Sequence, residues 1–349
     1  MRRKSREVKI GSLRIGGINP IAVQSMCKTK TKDVAATIRQ IKQLEEAGCE
    51  IIRLGIPDLE SAKALKEIRK NISIPLVADI HFDYKLAVES AKYADKLRIN
   101  PGNIGSPEKV KAVVDSAKDF GIPIRIGVNS GSIERDLVEK YGLTAEAMAE
   151  SALRHVKILE ELGFYDIVVS LKASDVARTI EAYEMIAYKT EYPLHLGITE
   201  AGTSYSGIIK SSIGIGALLS RGIGDTIRVS LTEDPVEEVK AGFEILKSLN
   251  LRQKGLTLIS CPTCARTEVD LVKMAREIEE KTKDIKKPVK IAVMGCVVNG
   301  PGEAKEADIG VACGSKSGVI FRKGEKIRTV KESEIVNALL EELNKMESE

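Results

Sequence analysis

Short apolar runs rich in Val, Ile and Leu recur along residues 20–247, each followed by a longer stretch with helical spacing. The runs fall at 20–25, 50–55, 75–80, 95–100, 122–127, 165–170, 193–198 and 225–230, with helical stretches that include 33–47, 58–70, 106–119, 144–162, 174–189 and 205–220. They read as continuously apolar rather than alternating, which predicts strands of a parallel sheet covered on both faces. Eight strand–helix units predict an α/β fold, a (β/α)8 TIM-type barrel over residues 1–249. A doubly wound sheet is the rival, but no glycine-rich phosphate loop follows the first strand, and "IGIGALLS" falls inside a helical stretch. After about 250 the rhythm changes: "LTLIS", "VKIAVMG", "ADIGVA", "SGVIFR" and "EKIRTV" read as short strands, with helices near 265–281 and 331–347. This predicts a smaller α+β domain over residues 250–349.

Composition narrows the picture only a little. With no tryptophan and five phenylalanines, the core must rely on aliphatic side chains, as helices packed on a parallel sheet do. A net charge of +4, from 54 basic and 50 acidic residues, comes without a concentrated basic stripe, which argues against nucleic acid as a partner. No run approaches the roughly 20 apolar residues of a membrane span, and no apolar segment follows the basic "MRRK" start. The expectation is a cytoplasmic protein without membrane attachment.

Charge becomes informative at the strand ends. "IIRLG", "KLRIN", "PIRIG" and "TIRVS" each carry an arginine near the end of a buried run, where it is costly unless it meets an anion or a solvated mouth. Barrel enzymes gather their chemistry at the C-terminal ends of the strands. Here those ends carry Arg53, Asp79, His81, Arg98, Asn100, Arg125, Asn129, Ser170, Lys172, Glu200, Arg228 and Ser230. Guanidinium forks match phosphate oxygens, so this set predicts a mouth for a small polyanion. Glu200, among glycines in "GITEAGTSYSG", is either an ion-pair partner or the acid and base of the site. His155 reads as structural, and His195 as a core histidine or one supporting the site.

The smaller domain holds "SCPTCART" and "MGCVVNGPGE", with thiols at 261, 264 and 296 and a carboxylate at Glu303. Cys261 and Cys264 read as following a strand and opening a helix, whose positive end favours thiolates. A redox dithiol needs no third cysteine. A structural zinc site wants four ligands, and no partner pair follows at zinc spacing, although Cys313 remains available. An iron–sulfur cluster on three thiolates and a further ligand is the third reading. From the residues alone all three stand, and a zinc-stabilised barrel aldolase using Lys172 as a Schiff base stands beside them.

Taken together, "IGGINPIAVQSM", "ADIHFDYKLA", "LRINPGNIG", "GVNSGS", "SLKASDV", "LGITEAG", "SCPTCART" and "MGCVVNGPGEAKEADIG" closely resemble the 4-hydroxy-3-methylbut-2-enyl diphosphate synthase family, in its short bacterial form without an inserted middle domain. The resemblance implies an oxidoreductase of isoprenoid biosynthesis that reductively opens 2-C-methyl-D-erythritol 2,4-cyclodiphosphate, with loss of water. It implies one [4Fe-4S] cluster per chain, held by Cys261, Cys264, Cys296 and Glu303, in an α+β domain like that of nitrite and sulfite reductases. It places the diphosphate grip on Arg53, Arg98, Arg125, Asn129, Lys172 and Ser230, and the acid/base role on Glu200. It further implies a homodimer, each barrel working with its partner's cluster domain, and flavodoxin or ferredoxin as electron donor. One departure is visible: Cys27-Lys28-Thr29 follows "QSM" where the family often has Thr-Asn-Thr.

Overall fold

The computed structural model describes residues 2–253, 255–283, 285, 287–296 and 306–348. The chain separates into two compact units, Met1–Arg252 and Gln253–Glu349. Among the described residues no helix is long and apolar enough to cross a membrane.

The first unit is a barrel. Its strands are β3 (Ala22–Met26), β4 (Ile51–Gly55), β5 (Leu76–Asp79), β6 (Lys96–Ile99), β7 (Ile124–Asn129), β8 (Ile167–Lys172), β9 (His195–Leu196) and β10 (Thr226–Ile227). They pair in parallel in chain order. β10 returns to β3, and β8 meets β9 through the bridge Val169–Leu194, so the ring comes around on itself. A hairpin precedes the barrel, β1 (Val8–Ile10) with β2 (Leu13–Ile15). Its Val8, Ile10 and Ile15 pack on Ala22, Ile51, Val77 and Val168 and close the N-terminal end of the strands with apolar side chains.

Helices begin where an aspartate can cap them. Asp33, Asp58, Asp175 and Asp270 each accept a hydrogen bond from the backbone N–H three residues on. Such a cap contributes about 1 kcal/mol, and it ends the preceding loop at a defined residue. Outward-facing strand residues such as Ile52, Leu54, Leu97, Ile99, Ile126 and Val169 pack against the helices in one continuous core.

The inward positions depart from the expectation of strands apolar on both faces. In the sequence the outer residues Leu97, Ile99, Ile124, Ile126 and Val128 dominate the pattern. Alternating with them, Gln24, Arg53, Lys96, Arg98, Arg125, Lys172, His195 and Thr226 face the barrel axis, and all but Arg53 are buried. Above its apolar floor the barrel is therefore filled with cations and hydrogen-bonding groups.

The second unit is a five-stranded sheet in the order β11 (Leu256–Ser260), β12 (Val289–Met294), β13 (Ile309–Gly314), β14 (Ser317–Arg322), β15 (Glu325–Lys331). The first three strands run parallel and the last two antiparallel. Helices Leu271–Thr282 and Ile335–Ser348 supply Ile278, Leu339 and Leu343 to its core. The helix after the paired cysteines starts at Leu271, capped by Asp270. Cys261 and Cys264 thus do not open a helix as the sequence pattern suggested. They lie in an irregular ten-residue segment, 261–270, and gain nothing from a helix terminus.

Candidate active site

The C-terminal ends of the barrel strands enclose a cavity of about 70 Å³. Arg53, Arg98, Arg125 and Arg228 line it with guanidinium groups and Lys172 with its amine, and His81, Asn129, Ser170, Thr199 and Ser230 add further hydrogen-bonding groups. All six residues expected to grip a diphosphate meet there. A wider cleft of about 800 Å³ opens alongside, running from Met26 and Cys27 to Phe82 and sharing His81.

Backbone geometry makes room for the cations. A Cβ at Gly127 would lie 2.3 Å from Arg98 Nε, and one at Gly197 would lie 2.7 Å from Lys172 Nζ. Hydrogen at those positions leaves each side chain its place over the neighbouring strand.

Two carboxylates hold the cluster together. Asp79 accepts from Arg98 Nη1 at 3.1 Å, stands 3.6 Å from Arg53 Nε and lies 3.3 Å from His81 Nε2. Burial alone would raise the Asp79 carboxyl, but Arg53, the His81 bond and Arg98 together hold it well below the usual carboxylate range. Glu238, buried on the helix Pro235–Ser248, accepts from Ser25 Oγ at 3.2 Å and Leu231 N at 3.0 Å and faces Arg228 Nη2 at 3.5 Å. Sequence reasoning missed Glu238, because an acid in the first turn of a helix reads as a complement to the helix dipole.

Among the described residues Arg125, Lys172 and Lys96 have no carboxylate within ion-pair distance. Arg125, wholly buried, reaches Gln24 Oε1 at 3.4 Å. Lys172 Nζ lies 3.2 Å from Nε2 of His195, whose Nδ1 lies 2.8 Å from Thr226 Oγ1. Lys96 Nζ is buried with no hydrogen-bond partner. Burial, followed by repulsion from Arg125 and Arg53, pushes its pKa well below the ordinary lysine value.

A lysine neutral in the native barrel binds a proton on unfolding. The native state is therefore penalised below the unfolded lysine pKa of about 10.4, and the penalty fades as pH rises towards it. Lys96→Met is expected to stabilise the protein at pH 7 by about 1–4 kcal/mol. Urea unfolding should show that gain shrinking towards pH 10. A less stable variant at pH 7 would mean that the ammonium is charged and held.

Glu200 lies in the loop after β9, exposed, with φ at +53°. The structure does not place it among the cavity-lining residues, although its neighbour Thr199 is one. A left-handed backbone at a non-glycine residue costs roughly 1 kcal/mol or more and recurs at functional positions. His155, within the helix Ala145–Glu161, is buried with Nε2 3.2 Å from Glu134 Oε1 and belongs to the scaffold.

In the second unit the thiols gather at one edge of the sheet. Cys261 directly follows β11 and Cys296 lies two residues beyond β12, and these strands pair in parallel with Ser260 opposite Val293. Cys261 Sγ accepts the N–H of Gly295 at 3.3 Å, and Cys264 N donates to Thr267 Oγ1 at 3.0 Å. Glu303 lies outside the described residues. Among those described, no three His, Cys, Asp or Glu side chains stand close enough to hold a single metal ion. An iron–sulfur cubane bonds each thiolate to a different iron, so its ligands stand farther apart than those of one ion, and soft sulfur donors suit it. Cys261, Cys264 and Cys296, partly or fully exposed in the segments that follow two neighbouring strands, offer soft donors open to such a group. Cys27, Cys49 and Cys313 do not: all are buried, and burial pushes each thiol up to about 12. Cys313, left open as a ligand by its glycine-rich surroundings, lies within β13 in the core.

A parallel barrel with a cation-lined mouth, joined to a small unit with thiols at its strand ends, defines a barrel enzyme with an accessory cysteine domain. The chain belongs to the GcpE family: residues 5–243 match the GcpE TIM-barrel domain and residues 257–345 the GcpE protein C-terminal domain. Curated relatives are named 4-hydroxy-3-methylbut-2-en-1-yl diphosphate synthase (flavodoxin). The one from Caldanaerobacter subterraneus is 61% identical, covering 100% of this chain and 99% of the relative. Those from Thermodesulfovibrio yellowstonii and Geobacillus thermodenitrificans are 58% and 59% identical, covering 99% and 100% of this chain and 99% and 94% of the relatives. Among solved structures, dihydropteroate synthases from Yersinia pestis and Stenotrophomonas maltophilia superpose with TM-scores of 0.51 and 0.52. Each has 13% identity and covers 70% of this chain, with 98% and 97% of its own chain matched; the likeness is one of barrel fold alone.

Proposed function

We propose that this chain catalyses the reaction its relatives are named for, the formation of 4-hydroxy-3-methylbut-2-enyl diphosphate. The substrate is 2-C-methyl-D-erythritol 2,4-cyclodiphosphate; two electrons and two protons enter per turnover and one water leaves. The observation that carries the reading is the convergence of Arg53, Arg98, Arg125, Lys172 and Arg228 on one small cavity.

The guanidinium groups bind the two phosphoryl groups and offset the negative charge that grows on the diphosphate oxygen when the ring opens. Asn129 and Ser230 fix the orientation of the phosphates by hydrogen bonds. Asp79 holds Arg53 and Arg98 in place before substrate arrives, so little reorganisation is needed at that step. Glu200 gives a proton to the departing C3 hydroxyl, which otherwise leaves as hydroxide. A four-iron cluster held by Cys261, Cys264 and Cys296, with Glu303 as fourth ligand, would supply the electrons one at a time. Flavodoxin, which the relatives' names specify, is the donor this reading assigns. As the resemblance implies, the enzyme works as a homodimer, each barrel served by the cysteine unit of a second copy.

Anaerobic purification tests the reading. About four irons with matching sulfide per chain are expected, as is conversion of cyclodiphosphate once a reductant is added. Cys261→Ser should lose iron and turnover while the protein still binds cyclodiphosphate. Full turnover by iron-free protein would overturn the proposal.

A further inference from the structure

The barrel interior carries far more positive than negative charge. β4 contributes Arg53, β6 Lys96 and Arg98, β7 Arg125, β8 Lys172 and the residue directly after β10 Arg228. Against them stand Asp79 on β5 and Glu238 on the helix Pro235–Ser248, and each is engaged by arginines on its own side. Among the described residues the other titratable groups beside these side chains are His81 and His195, with Tyr183 on the helix Val176–Lys189 bonding the strand backbone at Leu171 N. The Tyr183 hydroxyl donates to the His195 carbonyl, and burial, the largest effect on it, pushes it up and keeps it neutral. Arginines do not give up their protons, so only the lysines can relieve the excess charge.

Lys172 differs from Lys96 in lining the cavity. Its Nζ meets no carboxylate, only Nε2 of a wholly buried imidazole whose other nitrogen bonds Thr226. With Nδ1–H donating to Thr226, His195 presents a lone pair to Lys172 and needs no charge of its own. Burial, then Arg125, Lys172 and Lys96, hold His195 well below its ordinary pKa, which agrees with that neutral form. The pKa of Lys172 itself is driven down by burial first, then by Arg125 and Arg228.

We propose that Lys172 is a neutral amine in the free enzyme and takes up a proton from solvent when the cyclodiphosphate enters, so that substrate binding and proton uptake are linked. The inference rests on the diphosphate reading of the cavity. Its physical basis is the reversal of local charge: two phosphoryl anions beside the amine turn a repulsive field into an attractive one. His195 holds Nζ in the cavity in both states, accepting one of its protons.

Isothermal titration of oxidised, cluster-loaded enzyme with cyclodiphosphate, without reductant, isolates binding from turnover. Each phosphorus of this cyclic diester bears a single strongly acidic hydroxyl, so the ligand does not titrate near neutrality and any proton exchanged belongs to the protein. Comparing buffers of different ionisation enthalpy at pH 8 is expected to show uptake of about one proton per site. Lys172→Arg, which keeps the charge but cannot lose it, should bind with uptake near zero, whereas Lys96→Met should retain it.

Binding without proton uptake, or uptake that persists in Lys172→Arg, overturns the inference while leaving the diphosphate site intact. Absence of binding by wild-type enzyme overturns the site and the inference together. If Lys172→Arg fails to bind, the wild-type affinity decides. It must weaken about tenfold per pH unit on the alkaline side, where uptake is complete, and a flat profile rules the inference out.

Discussion

Asp79→Asn is expected to cost about 3–5 kcal/mol of stability, because it leaves buried Arg98 and largely covered Arg53 without their counter-charge. Native proteins are stable by only about 5–15 kcal/mol, so this is a large fraction of the total. At roughly 2–4 °C per kcal/mol for a domain of this size, the melting temperature should fall by about 6–20 °C. The effect has a pH signature. Asp79 is held below the usual carboxylate range, so its contribution is complete above the unfolded pKa of about 3.9 and disappears as pH falls through the lower folded value. Thermal unfolding of the wild type should therefore weaken on acidification below pH 4, and the variant should lose less over that window. Added sulfate or cyclodiphosphate should restore much of the lost stability by supplying the missing negative charge. A variant as stable as wild type would show that water, rather than Asp79, compensates the arginines.

Glu200→Gln is expected to lower kcat by about 10²–10⁴-fold, the range for loss of a positioned acid, and to leave cyclodiphosphate affinity nearly unchanged. The separation follows from placement, since Glu200 is exposed in the loop after β9 whereas the binding cations line the cavity. Single-turnover reduction and binding titration on the same preparation check both halves. Glu200→Gly should be as inactive yet more stable by about 0.5–1 kcal/mol, because glycine adopts the +53° backbone without strain. Equal loss of affinity and turnover would make Glu200 a binding residue.

The barrel was legible in the sequence because its outward strand positions are almost uninterrupted aliphatics between capped helices. The strand-end arginines were legible for the same reason: "IIRLG" and "KLRIN" put one charge inside an apolar run. Lys96 was harder to see. It sits two residues before Arg98 and so on the same inward face, but it opens its strand and reads as a boundary residue. The hairpin of two three-residue strands is too short for alternation to register. The helix after "CPTC" starts at Leu271 rather than near 265, because Asp270 caps it. Glu238 acts through burial, and burial of an acid on a helix leaves no trace in spacing.

The apolar plug made by Val8, Ile10 and Ile15 has a kinetic consequence. A vessel stoppered at its base admits and discharges its contents by a single door. Product must therefore vacate the cations before another substrate reaches them, and a lingering diphosphate product should compete with the incoming cyclodiphosphate.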